Sequence, residues 1–151
     1  MTEQDLLDNL IIKEDYNLHK GVLSSKYGYD VDVSWNVTNV TLKDTYIEFK
    51  ARIDYKYNEI DIYDNTGDSY GVYNVKFYNE LIFSIKTQDI KNAMSGLETN
   101  TKLYNPKLIS HKLTDVEYLS GTKLNNRYID TYFIDAEIDY EDSYIFVSYY
   151  K

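Results

Sequence analysis

The chain has 151 residues, 18 of them tyrosine, with a formal net charge of −9 and no cysteine. This length is typical of one domain with its own core, and we expect a single domain over residues 1–151. An internal disulfide is excluded, and the negative charge disfavours direct binding of nucleic acid, which requires a basic surface.

The N-terminal segment predicts a helix rather than a targeting signal. Thr2 is a suitable N-cap, Glu3 and Asp5 fall in the first turn, and apolar residues follow at helical spacing over residues 3–13. The segment has neither a basic start nor a long apolar run. Nowhere in the chain do the roughly 18 apolar residues of a membrane span run together, so we expect a cytoplasmic protein without membrane contact.

Three strands are predicted next, because the apolar period changes to two. Residues 27–37 alternate between apolar and polar, and a second alternation covers residues 47–62, with a change of parity near 58–59 that indicates a bulge. A third strand covers residues 73–85, and the polar run 64–69 predicts a loop. Together the three strands predict an antiparallel meander.

The second half of the chain predicts one more helix and three more strands. Thr87 is a suitable N-cap for a helix that ends near Gly96. A weaker strand follows at residues 108–118, and residues 134–140 and 144–150 predict a terminal hairpin. The order indicates an α+β fold with a mainly antiparallel sheet of about six strands, an N-terminal helix and one mid-chain helix.

Motifs for cofactor and metal chemistry are weak, so we expect no cofactor and no metal. The chain has two histidines, His19 and His111, and no glycine-rich phosphate loop. His111 lies in a strand-like run, where a satisfied core residue is more common than a catalytic base. The acidic run 61–68 departs from the calcium-loop pattern, and we expect a solvated turn there.

One trio of residues favours an enzyme, as a less favoured alternative. Glu48 and Lys50 share a face of a predicted strand, with Asp32 on a preceding strand. This set is similar to the site of restriction-type nucleases, in which such residues hold Mg²⁺ and orient water. Because the same pair is common on exposed strands and no basic cluster accompanies it, we expect a protein without enzymatic activity.

The clearest candidate for a functional surface is acidic. Asp135, Glu137 and Asp139 alternate along the predicted hairpin, in a row rather than across a cleft, which disfavours glycoside hydrolysis. Their spacing of about 6–7 Å along a strand resembles that of nucleic-acid phosphates. The predicted partner-binding surface comprises Asp135, Glu137, Asp139, Glu141, Asp142, Tyr128, Tyr132 and Tyr144.

These features together predict a non-enzymatic inhibitor. Carboxylates would steer a basic partner and tyrosines would anchor it. We expect an anti-defence protein of a phage or mobile element that mimics nucleic acid and blocks a basic nucleic-acid-binding protein. Two alternatives remain open: a small-molecule- or peptide-binding module with a pocket lined by Trp35, Phe77 and Phe83, and a structural subunit of a phage or conjugation apparatus. The sequence does not indicate an oligomeric state.

Overall fold

A computed structural model of the protein describes residues 1–14, 31–63, 69–135, 140–141 and 143–150, which contain three helices and seven strands. The helices are α1 (Glu3–Asn9), α2 (Thr87–Met94) and α3 (Asn126–Asp135). The strands are β1 (Leu10–Glu14), β2 (Val31–Leu42), β3 (Tyr46–Tyr63), β4 (Ser69–Lys86), β5 (Thr99–Lys102), β6 (Tyr104–Gly121) and β7 (Tyr144–Tyr149). The predicted α+β class is confirmed.

The strands form two antiparallel sheets. The large sheet has the order β2-β3-β4-β6, so the predicted meander is confirmed and the predicted strand near residues 108–118 becomes the longer β6 beside β4. The small sheet has the order β1-β7-β5 and joins the two ends of the chain. In the part of the chain that the structure describes, no helix is long and apolar enough to cross a membrane.

Alternation along β3 determines which face of the large sheet is buried. From Ile47 to Tyr57 the apolar side chains point inward and the polar ones outward. The strand register shifts between Tyr57 and Ile60, and Glu59 adopts a φ of 52°, which confirms the predicted bulge. Asp61 is also buried in β3, so the turn expected over residues 61–68 is wrong for its first part; residues 64–68 lie outside the described residues.

Close backbone approach at Gly71 helps to pair β4 with β6. A Cβ atom built at Gly71 would lie 2.5 Å from the carbonyl oxygen of Ser120, closer than van der Waals contact allows. Nearby, the Tyr73 hydroxyl donates to the carbonyl of Thr122 and accepts from the backbone N–H of Leu124. These contacts fix the connection from β6 to α3.

The two predicted helices are present, with corrected ends. Thr2 caps α1 as expected, since its hydroxyl accepts from the Asp5 backbone N–H at 3.1 Å and the Asp5 carboxylate accepts from the Thr2 backbone N–H. The helix ends at Asn9 rather than near residue 13, because the next residues pair with β7 as β1. Thr87 is the first residue of α2 and makes no capping hydrogen bond, so the predicted cap is wrong.

The predicted terminal hairpin is also wrong. Asp135 is the last residue of α3, and β7 pairs with β1 and β5 instead of with residues 134–140. The physical reason is helical packing: Ile129 and Phe133, four residues apart, are both buried against the large sheet. Residues 136–139 lie outside the described residues.

Candidate functional site

A continuous set of hydrogen bonds crosses the inner face of the large sheet. It joins side chains from α3, from five strands and from the segment before β7, and we call it the polar chain. Its members, in order, are Asp130, His111, Asn79, Tyr140, Tyr55, Glu14 and Trp35.

His111 occupies one end of the polar chain. Its side chain is 6% exposed, its Nδ1 lies 2.7 Å from Asn79 Oδ1, and its Nε2 lies 2.7 Å from Asp130 Oδ1. Both ring nitrogens thus have a hydrogen-bond partner, and the ring also packs against Phe77 with centroids 5.1 Å apart. The expectation that His111 is a satisfied core residue is confirmed.

Phenol hydroxyls form the middle of the polar chain. Asn79 Nδ2 donates to the Tyr140 hydroxyl at 3.0 Å, and the hydroxyls of Tyr140 and Tyr55 lie 2.6 Å apart. The Tyr55 hydroxyl donates to Glu14 Oε1 at 3.3 Å, and Trp35 Nε1 donates to the same oxygen at 3.0 Å. Because Tyr55 donates to Glu14, the hydrogen between the two phenols comes from Tyr140. Every donor from Asn79 to Glu14 therefore has an acceptor, as a stable buried network requires.

Tyr57 lies beside this network but does not belong to it. It lies two residues from Tyr55 on the same face of β3 and is 3% exposed, yet its hydroxyl has no hydrogen-bond partner among the described residues. Burial, with the negative charge of Glu14, raises the pKa of Tyr57 well above the usual range. An unsatisfied buried hydroxyl costs roughly 1–3 kcal/mol. A polar ligand atom or a water molecule that reached this hydroxyl would recover part of that cost.

Alkaline pH is expected to destabilise the protein through these phenols. Burial raises the pKa values of Tyr55, Tyr57 and Tyr140, so the folded state keeps their protons while unfolded phenols ionise near pH 10. Their contribution to the free energy of unfolding is fully present below about pH 10. Above that pH it falls by up to about 1.4 kcal/mol per pH unit for each phenol. Urea midpoints measured across this range should fall steeply; a midpoint that stays constant would contradict the burial.

The predicted partner-binding residues fall on different elements. Tyr128 and Tyr132 are half-buried on α3, whereas Tyr144 is 45% exposed at the start of β7 and Glu141 is exposed. Asp135 ends a helix, so it does not continue a strand-like row of carboxylates. The remaining members, Glu137, Asp139 and Asp142, lie outside the described residues.

The outer face of the large sheet is not acidic. Lys50 pairs with Glu80 at 3.4 Å, and Arg52 binds Asp54 at 3.0 Å while it lies over the ring of Tyr78. Cations and carboxylates are nearly equal in number over this face: Lys50, Arg52, Lys56, Lys76, Lys86, Lys107 and Lys112 against Asp32, Glu48, Asp54, Glu80, Asp115 and Glu117. The net charge of −9 therefore comes from other parts of the chain.

The nuclease trio does not assemble. Asp32 faces Lys56 across the β2–β3 pair, whereas Glu48 faces Thr41 at the other end of β3. Eight residues separate Lys56 from Glu48, which is about 26 Å along a strand. Within the described ranges no three His, Cys, Asp or Glu residues could hold one metal ion. The interpretation of Asp32, Glu48 and Lys50 as a metal site is therefore wrong.

The three rings expected to line a pocket pack against other rings, and of them Phe77 also borders a depression. Trp35 contacts Phe83 edge to face at 5.8 Å, and Phe77 stacks on Tyr55 at 4.7 Å. A depression of about 320 Å³ lies on the large sheet, lined by Asp32, Val33, Ser34, Asp54, Tyr55, Lys56, Lys76, Phe77 and Thr114. Its charged side chains are of both signs, so it favours no one class of ligand.

Sequence reasoning overlooked the polar chain, although one signal was present. Asn79 occupies an inward position of β4 between Phe77 and Leu81, and a buried amide among apolar residues needs hydrogen-bond partners. Glu14 gave no such signal, because its role depends on the pairing of β1 with the far end of the chain. Comparison with protein-family models, curated proteins and solved structures gives no match, so similarity assigns this chain to no family.

Proposed function

We propose that the chain is a non-enzymatic inhibitor that binds a basic nucleic-acid-binding protein through residues 126–144, which we call the acidic segment. The uneven distribution of charge carries this proposal. The acidic segment has six carboxylates and one arginine, whereas the outer face of the large sheet is nearly neutral. An inhibitor of this kind fits a phage or mobile element that must block a defence protein.

Two described parts of the acidic segment are anchored in the fold. Ile129 and Phe133 anchor α3 in the core, and the buried Tyr140 bonds to Asn79 and Tyr55. Glu141 is exposed directly after this anchor. Residues that are anchored before binding lose less conformational entropy when a partner docks, so anchored α3 and Tyr140 support a binding role for this part of the chain.

Charge and aromatic rings then have separate tasks in binding. Carboxylates accelerate encounter with a basic partner and make the affinity depend on salt. Tyr144, exposed at the end of the segment, offers a large ring at low entropic cost. A partner that uses its basic surface for phosphates would lose access to nucleic acid when the acidic segment covers that surface.

Charge reversal in the acidic segment tests the proposal. The variant Glu137→Lys/Asp139→Lys/Asp142→Lys should lose the basic protein that the wild type captures from a lysate of its source organism, with affinity falling by at least about tenfold at low salt. Affinity capture read by mass spectrometry, followed by titration calorimetry with the purified partner, measures both effects.

The matched control applies the same change of charge elsewhere. Glu3, Asp8 and Glu98 are exposed and lie outside the acidic segment. The variant Glu3→Lys/Asp8→Lys/Glu98→Lys should retain most of the affinity. Equal losses in the two variants would show that only the total charge matters, and would contradict the assignment to residues 126–144.

The Tyr57 hydroxyl favours one second candidate, a small-molecule- or peptide-binding module. A ligand that hydrogen-bonds to this buried group would bind the Tyr57→Phe variant more weakly than the wild type. Its affinity would not change on charge reversal in the acidic segment. The inhibitor proposal predicts the opposite response to the two changes. Binding measured with both variants therefore separates the two functions.

A further inference from the structure

β6 is an edge strand of unusual length. It spans Tyr104–Gly121, 18 residues, and pairs with β4 on one side. On its other side no strand lies within the described part of the chain. The backbone N–H and C=O groups along such an edge can pair with another strand.

Apolar side chains are exposed near both ends of this edge. Leu108 and Ile109 are 40% and 39% exposed, and Tyr118 and Leu119 are 40% and 39% exposed. Single exposed apolar residues are normal, but two adjacent pairs on an edge that no described strand covers create a surface suited to strand pairing. The edge therefore has two exposed apolar contact sites, one in each half of β6.

Charge is divided between the two halves of β6. Lys107 and Lys112 lie in the first half, and Asp115 and Glu117 lie in the second. Lysines on an edge usually oppose pairing with another strand. Here an antiparallel copy of the same strand would bring Asp115 of one copy to Lys112 of the other, so the middle of β6 is complementary to itself.

One register brings together one pair of opposite charges and both apolar pairs. It places these pairs opposite each other: Lys112 and Asp115, Leu108 and Leu119, and Ile109 and Tyr118. Lys112 and Asp115 both point to the outer face, since their partners on β4 are Tyr78 and Lys76. The two-fold axis of this arrangement passes between Leu113 and Thr114, and each pair occurs twice, as in an isologous dimer.

We propose that β6 is a dimerisation edge at which two copies of this chain pair antiparallel and join their large sheets. The occupant of the edge is a second copy because the Lys112–Asp115 pair and both apolar pairs match under one two-fold operation. This inference concerns β6 and is independent of the proposed inhibitor function. The dimer would present two acidic segments on one particle, which would increase avidity for a partner with two basic sites.

A charge swap tests the register. Lys112→Glu and Asp115→Lys each place like charges opposite each other twice in the dimer, so each should raise the dimer dissociation constant by roughly tenfold. The double variant Lys112→Glu/Asp115→Lys should restore dimerisation. Sedimentation velocity and light scattering of the full chain give the dissociation constants, and circular dichroism confirms that each variant is folded.

A pair of isoleucines provides the matched control. Ile109→Asp should abolish the dimer, whereas Ile11→Asp, at a residue 38% exposed on β1, should leave it intact. A wild type that stays monomeric up to about 100 µM would overturn the proposal, because a micromolar dimer would be populated there. A dimer that survives Ile109→Asp would equally overturn it and place the contact elsewhere. A wild type that binds an added β6 peptide but does not dimerise would also overturn it.

Discussion

Replacing Tyr55 with phenylalanine is expected to lower the free energy of unfolding by about 1–3 kcal/mol, whereas the same change at Tyr57 should leave it unchanged or raise it. The two tyrosines lie on the same face of β3 and are 2% and 3% exposed. Tyr55→Phe leaves Tyr140 without its acceptor and Glu14 without one donor. Tyr57→Phe removes a hydroxyl that has no partner among the described residues.

Urea denaturation at neutral pH measures the difference, because each variant changes one oxygen atom and hardly alters the area exposed on unfolding. Equal losses in the two variants would contradict the hydrogen-bond pattern of the polar chain. A larger loss in Tyr57→Phe would show that the Tyr57 hydroxyl has a partner in solution, such as a bound water or a ligand.

Phe77→Ala is expected to have the largest effect on stability, about 3–5 kcal/mol. The ring of Phe77 lies 4.7 Å from that of Tyr55 and 5.0 Å from that of Phe133 on α3. It is 1% exposed, so its removal leaves a cavity between the large sheet and α3. The loss should weaken the docking of the helix that begins the acidic segment.

The control for Phe77 is Phe146→Ala, since Phe146 lies half-buried on the outer face of the small sheet. This change should cost about 1 kcal/mol or less. Thermal and urea denaturation of the two variants give the comparison. A loss below about 1.5 kcal/mol in Phe77→Ala would contradict its central place in the core.

Local patterns predicted the large sheet well, because strand alternation is a local signal. The inward phase of β3 and the parity change near Glu59 are visible in the sequence, and both match the structure. The Thr2 cap of α1 is equally local, since the Thr2 hydroxyl and the backbone N–H of Asp5 that it accepts from are three residues apart. Each of these features depends only on neighbouring residues.

Pairing between distant segments could not be predicted in the same way. β1 and β5 have five and four residues, too few for a clear period, and both form only because β7 lies between them. α3 contains two apolar residues at helical spacing, Ile129 and Phe133. Its last two residues also belong to a strand-like alternation that starts at Ile134. The buried surface of the large sheet selects the helix, which is a tertiary effect.

The same limit applies to the candidate sites. Glu48 and Lys50 do share a face of β3, but strand register places Asp32 opposite Lys56 at the other end. The polar chain draws on residues from Glu14 to Tyr140, and only the inward Asn79 marks it in the sequence. The acidic segment is a feature of composition, so the sequence shows its charge but not the helix that begins it.

Competition with nucleic acid tests most directly whether the acidic segment blocks a basic partner. The partner captured by the wild type would be purified and bound to a fluorescently labelled nucleic acid, and the chain would then be added while fluorescence anisotropy is recorded. The wild type should displace the nucleic acid, and Glu137→Lys/Asp139→Lys/Asp142→Lys should not. A complex in which the partner holds the nucleic acid and the wild-type chain together would contradict the proposed inhibition.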